Sequence, residues 1–205
     1  MRGPWTPRRA KAGRGRRRPT SAGCALLLAA WGGLAGPIGA AEPKVFPEYQ
    51  VKAALLVNFT KYVAWPESAF ADAGQPLLIC IAGADPFGEF LDETVAGRLG
   101  DRPIDVRRLD PKEEAACHVL FISRAERRRQ GTLLSSLDGR AVLTVGESER
   151  FLRDGGGINL LIGHDNRVRF EVNLVVTDRA GLKLSSRMLN LAERVLRPDD
   201  EKRGQ

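Results

Sequence analysis

LLICIA, residues 77–82, is a run of six apolar residues between Pro76 and Gly83. An uninterrupted apolar run of this length is typical of a strand buried on both faces of a parallel sheet, because a half-exposed strand would alternate apolar and polar residues. VLFI at 119–122 has the same character, and AVLTV at 141–145 predicts a further strand. We expect these three strands to lie at the centre of the fold.

Helix patterns separate the strands. Residues 49–65 predict a helix ended by Pro66, since apolar residues recur there at spacings of three and four and the residue before a proline avoids helical angles. Asp85 predicts the N-cap of a second helix over 86–94. The stripe of the first helix that we expect to face the core is Val51, Ala54, Leu55, Phe59 and Tyr62.

Strands that alternate with helices predict an α/β fold, with a mostly parallel central sheet flanked by helices on both faces. INLLI at 158–162 and VRFEV at 168–172 flank the turn sequence GHDNR, which predicts an antiparallel C-terminal hairpin. A final helix is predicted from Ser185 to Pro198. Its apolar side comprises Met188, Leu189, Ala192, Val195 and Leu196.

Residues 1–41 have the composition of a secretory signal peptide. They hold eight basic residues and no acidic one, then the apolar run CALLLAAWGGL at 24–34 and small residues at 39–41. This order predicts export with cleavage near Ala41. The apolar run is too short to span a bilayer stably.

The chain that follows the leader is nearly neutral. It keeps 24 basic and 25 acidic residues, because the leader holds eight of the 32 basic ones. Nucleic-acid binding is therefore not expected, since it would call for a basic excess. Its 164 residues suit one compact domain. We predict a lead-in at 42–48, a single α/β domain at 49–197 and a polar tail at 198–205.

Two cysteines remain after the leader, Cys80 and Cys117. In an oxidising compartment they suggest one bridge, with two separately buried thiols as the alternative, and the residues alone favour neither. His118 beside Cys117 suggests a metal site, but no spaced pair supplies the other ligands that zinc needs. We therefore predict no metal, and we interpret His164 as a turn residue.

No catalytic constellation is recognisable in the sequence. Ser123 follows a buried strand, where α/β proteins place functional side chains, yet no His/Asp pair can be assigned to it. Capping a helix over 124–137 is its simpler role. We predict no catalytic residue and no cofactor. A small ligand, if one binds, is expected at the carboxyl ends of the strands, near Gly83, Ser123 and Gly146.

Seven segments of the chain form an ordered set: KAALLVNFTKYVAWP (52–66), ICIAGADPFG (79–88), CHVLFIS (117–123), LTV (143–145), GGI (156–158), RFEVN (169–173) and AGLKLSS (180–186). In this order they resemble the YfiR family of periplasmic proteins. The resemblance extends over about residues 50–196. Each segment is short, but the ordered set is specific.

The resemblance implies a periplasmic negative regulator rather than an enzyme. Studied members of the family bind the periplasmic portion of an inner-membrane diguanylate cyclase and hold it inactive, and an outer-membrane lipoprotein can sequester them. The resemblance also implies a disulfide between Cys80 and Cys117. Some members carry a second cysteine pair around the hairpin; this chain has none there, so redox switching by such a pair does not transfer.

Two functions from different classes are therefore expected. The first is a periplasmic binding protein that represses a membrane-anchored signalling enzyme, a diguanylate cyclase, through protein–protein contact and so lowers cyclic-di-GMP. The alternative is a periplasmic small-molecule sensor with a ligand crevice at the carboxyl ends of the strands. The oligomeric state is left open, and a homodimer is compatible with the sequence. The aromatic residues that we expect in the core rather than at an interface are Phe59, Tyr62, Phe87 and Phe170.

Overall fold

A computed structural model describes residues 47–97, 102–110, 116–198 and 200. The predicted signal peptide at 1–41 lies outside the described residues. Within them, the strands are β1 Val63–Ala64, β2 Leu77–Ala82, β3 Ile104–Leu109, β4 Val119–Ile122, β5 Leu143–Gly146, β6 Ile158–Ile162, β7 Val168–Asn173, β8 Lys183–Leu184 and β9 Arg194–Leu196. The α-helices are α1 Pro47–Tyr62, α2 Glu89–Ala96, α3 Gln130–Ser136, α4 Leu174–Arg179 and α5 Ser186–Leu189.

Seven of these strands form the central sheet, in the spatial order β3-β2-β4-β5-β6-β7-β9. Strands β2 to β6 are parallel, β7 is antiparallel to β6, and β9 is parallel to β7. The chain first adds β3 on one side of β2 and then β4 to β6 on the other, which is a doubly wound arrangement. The predicted mostly parallel sheet with an antiparallel hairpin is confirmed. The short strands β1 and β8 form a separate antiparallel pair.

Two apolar cores lie on opposite faces of the sheet, because successive side chains of a strand point to opposite sides. In β2, Ile79 and Ile81 belong to the core that also contains Leu56 of α1. Cys80 belongs to the other core, where Leu134 of α3 packs. A strand that must fill both cores cannot alternate with polar residues, and this explains the LLICIA run.

Helix α1 buries a different side from the predicted stripe. Of that stripe only Phe59 is fully buried, whereas Val51 is 46% exposed and Tyr62 is 38% exposed. The helix is apolar on several sides, so spacing does not select one, and a buried ion pair between Lys52 and Glu147 turns the Lys52 side inward. Tyr62 is therefore not a core residue, while the expectation for the other three aromatic residues is confirmed. The buried apolar residues of α1 are Ala53, Leu56, Val57 and Phe59.

Two helix predictions fail at their N-terminal ends. Helix α2 begins at Glu89 instead of residue 86, after Gly88 with a φ of 57°. Asp85 closes the preceding turn instead, since its Oδ1 accepts the N–H of Phe87 at 2.8 Å. The helix predicted over 124–137 is a 3-10 turn at Arg124–Glu126 followed by the shorter α3.

The predicted C-terminal helix is also wrong. The start of the predicted segment is helical as α5, but residues 194–196 form β9 against β7 instead of continuing the helix. The N–H of Glu193 donates to the carbonyl of Phe170 at 2.8 Å, and Arg194 pairs with Glu171 at 2.8 Å. The open edge of β7 supplies these partners, and such tertiary pairing overrides a local helical pattern.

None of the helices in the described part of the chain has the length and apolar character needed to cross a membrane.

Candidate functional site

The carboxyl edge of the parallel strands brings together the three residues predicted to line a crevice. Ala82, Ile122 and Gly146 are paired across β2, β4 and β5. Gly83 and Ser123 therefore lie at the next level, side by side, just beyond the strands. A Cβ built on Gly83 would lie 2.7 Å from Ser123 Oγ, so the two loops are in close contact.

Gly146 lies under an aromatic ring. A Cβ on Gly146 would approach ring atoms of Phe151 to 2.2 Å, and a Cβ on Gly156 would do the same from the other side. The Phe151 ring thus fills the space between two glycines. No larger residue fits at either position unless this ring moves.

Ser123 does not cap the helical turn that follows it. Its backbone carbonyl accepts the N–H of Glu126 at 2.9 Å, but its side chain makes no capping hydrogen bond. The hydroxyl is buried and has no hydrogen-bond partner among the described residues. The predicted cap is wrong because the side chain points toward the space left by the missing Cβ of Gly83.

A buried ionic cluster occupies the position after β5. Glu147 Oε2 accepts a hydrogen bond from Lys52 Nζ at 2.6 Å, and both side chains are 1% exposed. Glu147 Oε1 accepts from the Tyr49 hydroxyl and from the backbone N–H of Arg124, each at 3.3 Å. Lys52 also pairs with Glu48 at 2.5 Å. The cluster ties the start of α1 to the carboxyl edge of the sheet.

The sequence analysis did not identify this cluster. Its candidate at the end of β5 was Gly146, the residue next to Glu147. The available signals were a lysine inside an apolar helix and a carboxylate directly after a buried strand. Burial raises the pKa of Tyr49 to about 12, and the charges of Glu147 and Glu48 act in the same direction. Tyr49 therefore stays protonated and donates to Glu147 at neutral pH.

Two cavities open near this edge. The first, of about 210 Å³, is mostly apolar and lies between Leu120 of the sheet and Leu133 and Leu137 of the α3 region; Gly83 lines it, whereas Ser123 and Gly146 do not. The second, of about 630 Å³, lies between the segments that follow β4 and β5. Its lining is polar and consists of Arg124, Arg127, Gln130, Glu147, Ser148, Glu149, Arg150 and Asp154.

His118 holds neighbouring segments together through its ring. Its Nδ1 accepts the N–H of Leu78 at 2.9 Å, its Nε2 lies 3.0 Å from the carbonyl of Ala69, and its ring stacks on Phe70. Burial lowers the pKa of His118, which favours the neutral ring that this hydrogen bonding requires. In the described residues no group of three or more His, Cys, Asp and Glu side chains is placed to hold a metal ion. His164 lies exposed in the hairpin turn.

A disulfide joins Cys80 of β2 to Cys117, which lies just before β4, with the two Cα atoms 5.9 Å apart. The bridge therefore connects neighbouring strands within the core that α3 covers. It is the pairing that the family resemblance implied.

A family model described as DUF4154, YfiR/HmsC-like, matches residues 49–193. The match begins within α1 and ends at the residue before β9, and so includes Lys52, Glu147, the disulfide and the hairpin.

Proposed function

The chain belongs to the YfiR/HmsC-like family of periplasmic regulators, and from this premise we propose that it represses an inner-membrane signalling enzyme through protein–protein contact. The proposed partner is the periplasmic portion of a diguanylate cyclase, so that binding lowers cyclic-di-GMP. An outer-membrane lipoprotein would relieve the repression by sequestering the regulator. The observation that carries this proposal is the family match over residues 49–193.

The disulfide supports the proposed compartment. Disulfides persist in oxidising compartments such as the bacterial periplasm and are rare in the cytosol. The Cys80–Cys117 bridge is therefore expected in an exported protein. The basic, apolar and small residues of the leader at 1–41 give the proposed route of export.

Repression by contact requires a preference for one state of the partner. A regulator that binds the inactive conformation more tightly shifts the partner's equilibrium toward it. Moving that equilibrium from nearly all active to nearly all inactive takes about 10⁴-fold preferential binding, or about 5.5 kcal/mol. An interface of ordinary size, about 800 Å² on each partner, can supply this.

The proposal is tested in cells and on membranes. Deleting the gene should raise cyclic-di-GMP, and the full chain should restore the low level. The tagged protein should recover a diguanylate cyclase from solubilised inner membranes. A version that lacks residues 2–41 is the matched control, because it keeps the whole matched domain in its sequence but should stay in the cytosol and fail to repress. Unchanged cyclic-di-GMP together with no recovered membrane protein would refute the proposal.

A second candidate function is that of a periplasmic small-molecule sensor, in which a ligand tunes the affinity for the membrane partner. The observation that favours it is the cavity of about 630 Å³ beyond the carboxyl ends of β4 and β5, together with the cavity of about 210 Å³ that Gly83 lines. Open α/β sheets bind ligands at this edge. A thermal-shift screen of the purified protein tests it, because stabilisation by a ligand grows with its concentration above the dissociation constant.

A further inference from the structure

The polar cavity of about 630 Å³ has a fixed floor. Ser148 donates to Gln130 Oε1 at 2.7 Å, and Gln130 Nε2 donates to Asp154 Oδ2 at 2.9 Å. Gln130 and Ser148 are buried. The floor also includes Glu147, which forms an ion pair with Lys52. These groups are held by one another, so the cavity presents an organised polar surface.

Two of the three carboxylates in the cavity are already engaged. Glu147 is paired with Lys52, and Asp154 accepts from Gln130 and lies 3.5 Å from Arg150. Glu149 is the remaining carboxylate of the lining. Glu147 and Asp154 are therefore held by partners within the protein.

Arg124 and Arg127, unlike these two carboxylates, have no ion-pair partner among the described residues. Both line the cavity. The segment that carries them follows β4, and its backbone is held because the N–H of Arg124 donates to Glu147. Two guanidinium groups that have no carboxylate partner among the described residues thus border one polar cavity.

We propose that this cavity binds a small hydroxylated anion of sugar size, whose carboxylate or phosphate is held by Arg124 and Arg127. The planar guanidinium group matches the geometry of these anions and binds them through paired hydrogen bonds. The buried Gln130 and Ser148 offer partners for the hydroxyl groups. The volume, about 630 Å³, is in the range of small-molecule sites.

The inference rests on the sensor function proposed above, and it names the cavity and the chemical class of the ligand. It does not depend on the identity of the membrane partner. The ion pair between Glu147 and Lys52 connects the lining of the cavity to α1.

Calorimetric titration of the purified exported protein tests the inference. The probes are glucuronate, which carries a carboxylate, glucose 6-phosphate, which carries a phosphate, and glucose as the neutral control. At least one acidic sugar should bind, and glucose should bind at least tenfold more weakly. Binding by glucuronate alone or by glucose 6-phosphate alone supports the site and identifies its anionic group.

Two double variants separate this cavity from the general positive charge of the surface. R124Q/R127Q should weaken binding by about tenfold or more, since charged hydrogen bonds are lost. R128Q/R153Q removes the same charge from two arginines that are exposed like Arg124 and Arg127 but do not line the cavity, and it should change the affinity by about twofold or less. Glu149→Gln should tighten binding because it removes a repelling carboxylate.

The inference is overturned if neither acidic sugar binds, if both double variants weaken binding equally, or if glucose binds as tightly as the anions. A thermal shift caused by an apolar compound but by neither acidic sugar would overturn the role of this cavity and still support the sensor function. Repression of the cyclase is measured separately in cells, so its failure is distinct from both.

Discussion

Lys52 and Glu147 show how one charged pair can hold two distant parts of the chain. They are 95 positions apart, yet their side chains meet at 2.6 Å with 1% exposure each. Removing both charges from water costs free energy. This cost is offset only by the close contact between the two charges and by the further hydrogen bonds to Glu147. The pair therefore contributes more to the placement of α1 than to net stability.

The two charges should be strongly coupled in a double-mutant cycle. Glu147→Leu should lower the free energy of unfolding by about 3–5 kcal/mol, because Lys52 is left buried without its main partner. Lys52→Met/Glu147→Leu should recover most of this loss. Urea unfolding of the wild type, both single variants and the double variant measures the coupling. Additive losses in the double variant would show that the ion pair is not the source of the effect.

His118 acts through its neutral ring. Its Nδ1 accepts the N–H of Leu78, and its Nε2 faces the carbonyl of Ala69. Protonation would place a second proton opposite the Leu78 N–H. Burial lowers the pKa of His118 because it disfavours the charged ring. The positive charge of nearby Arg102 lowers the pKa further.

Stability should fall on mild acidification. An unfolded histidine titrates near pH 6.5, so below this pH the unfolded chain binds a proton that the folded His118 does not. The free energy of unfolding should therefore decrease as the pH drops from about 6.5 to the lower folded pKa. His118→Asn should abolish this slope in urea unfolding at several pH values. His164→Asn, at the exposed turn histidine, is the control that should keep it; a slope surviving in the first variant would contradict the assignment.

At the scale of elements, α1 shows that apolar spacing does not define which side of a helix is buried. Leu56 is fully buried, while Val51 is 46% exposed. The predicted stripe and the observed buried side differ by rotation about the helix axis. The structure selects the side that brings Lys52 to Glu147.

Substitutions on the two sides of α1 should therefore differ in effect. Leu56→Ala should lower the free energy of unfolding by about 2–5 kcal/mol, because it leaves a cavity in the core. Val51→Ala should change it by about 0.5 kcal/mol or less, as is usual for surface positions. Chemical denaturation of both variants checks this. Equal losses of unfolding free energy in the two variants would mean that the side of α1 carrying Val51 is buried, as the apolar spacing predicts.

At the scale of the whole molecule, the disulfide fastens the sheet at its doubly wound centre. Cys80 and Cys117 are separated by 37 positions, and the bridge joins β2 to the start of β4 across the point where the winding of the chain reverses. It therefore restricts the unfolded chain over the whole α2–β3 unit.

Removing the bridge should weaken the entire fold. Cys80→Ala/Cys117→Ala should lower the free energy of unfolding by about 2–4 kcal/mol, as expected for closing a loop of this length. Urea unfolding with and without reductant measures the effect. Reductant should destabilise the wild type by a similar amount and leave the double variant unchanged. A wild type that is insensitive to full reduction would contradict this role.

The sequence by itself determined the parallel centre of the sheet. LLICIA and VLFI are buried on both faces, and such runs occur where a parallel strand lies between two layers of helices. The hairpin was equally readable, because the GHDNR turn and its flanking strands are neighbours in the chain. Patterns of this kind are local, so each segment carries its own signal.

Only the tertiary structure decided which side of α1 is buried, that residues 194–196 form a strand, and that Glu147 rather than Gly146 is the polar centre of the carboxyl edge. The first and the third depend on the pairing of Lys52 with Glu147, 95 positions apart, and the second depends on the open edge of β7. Long-range partners leave no periodic trace in the segments that they join, because the contact exists only after the sheet has formed.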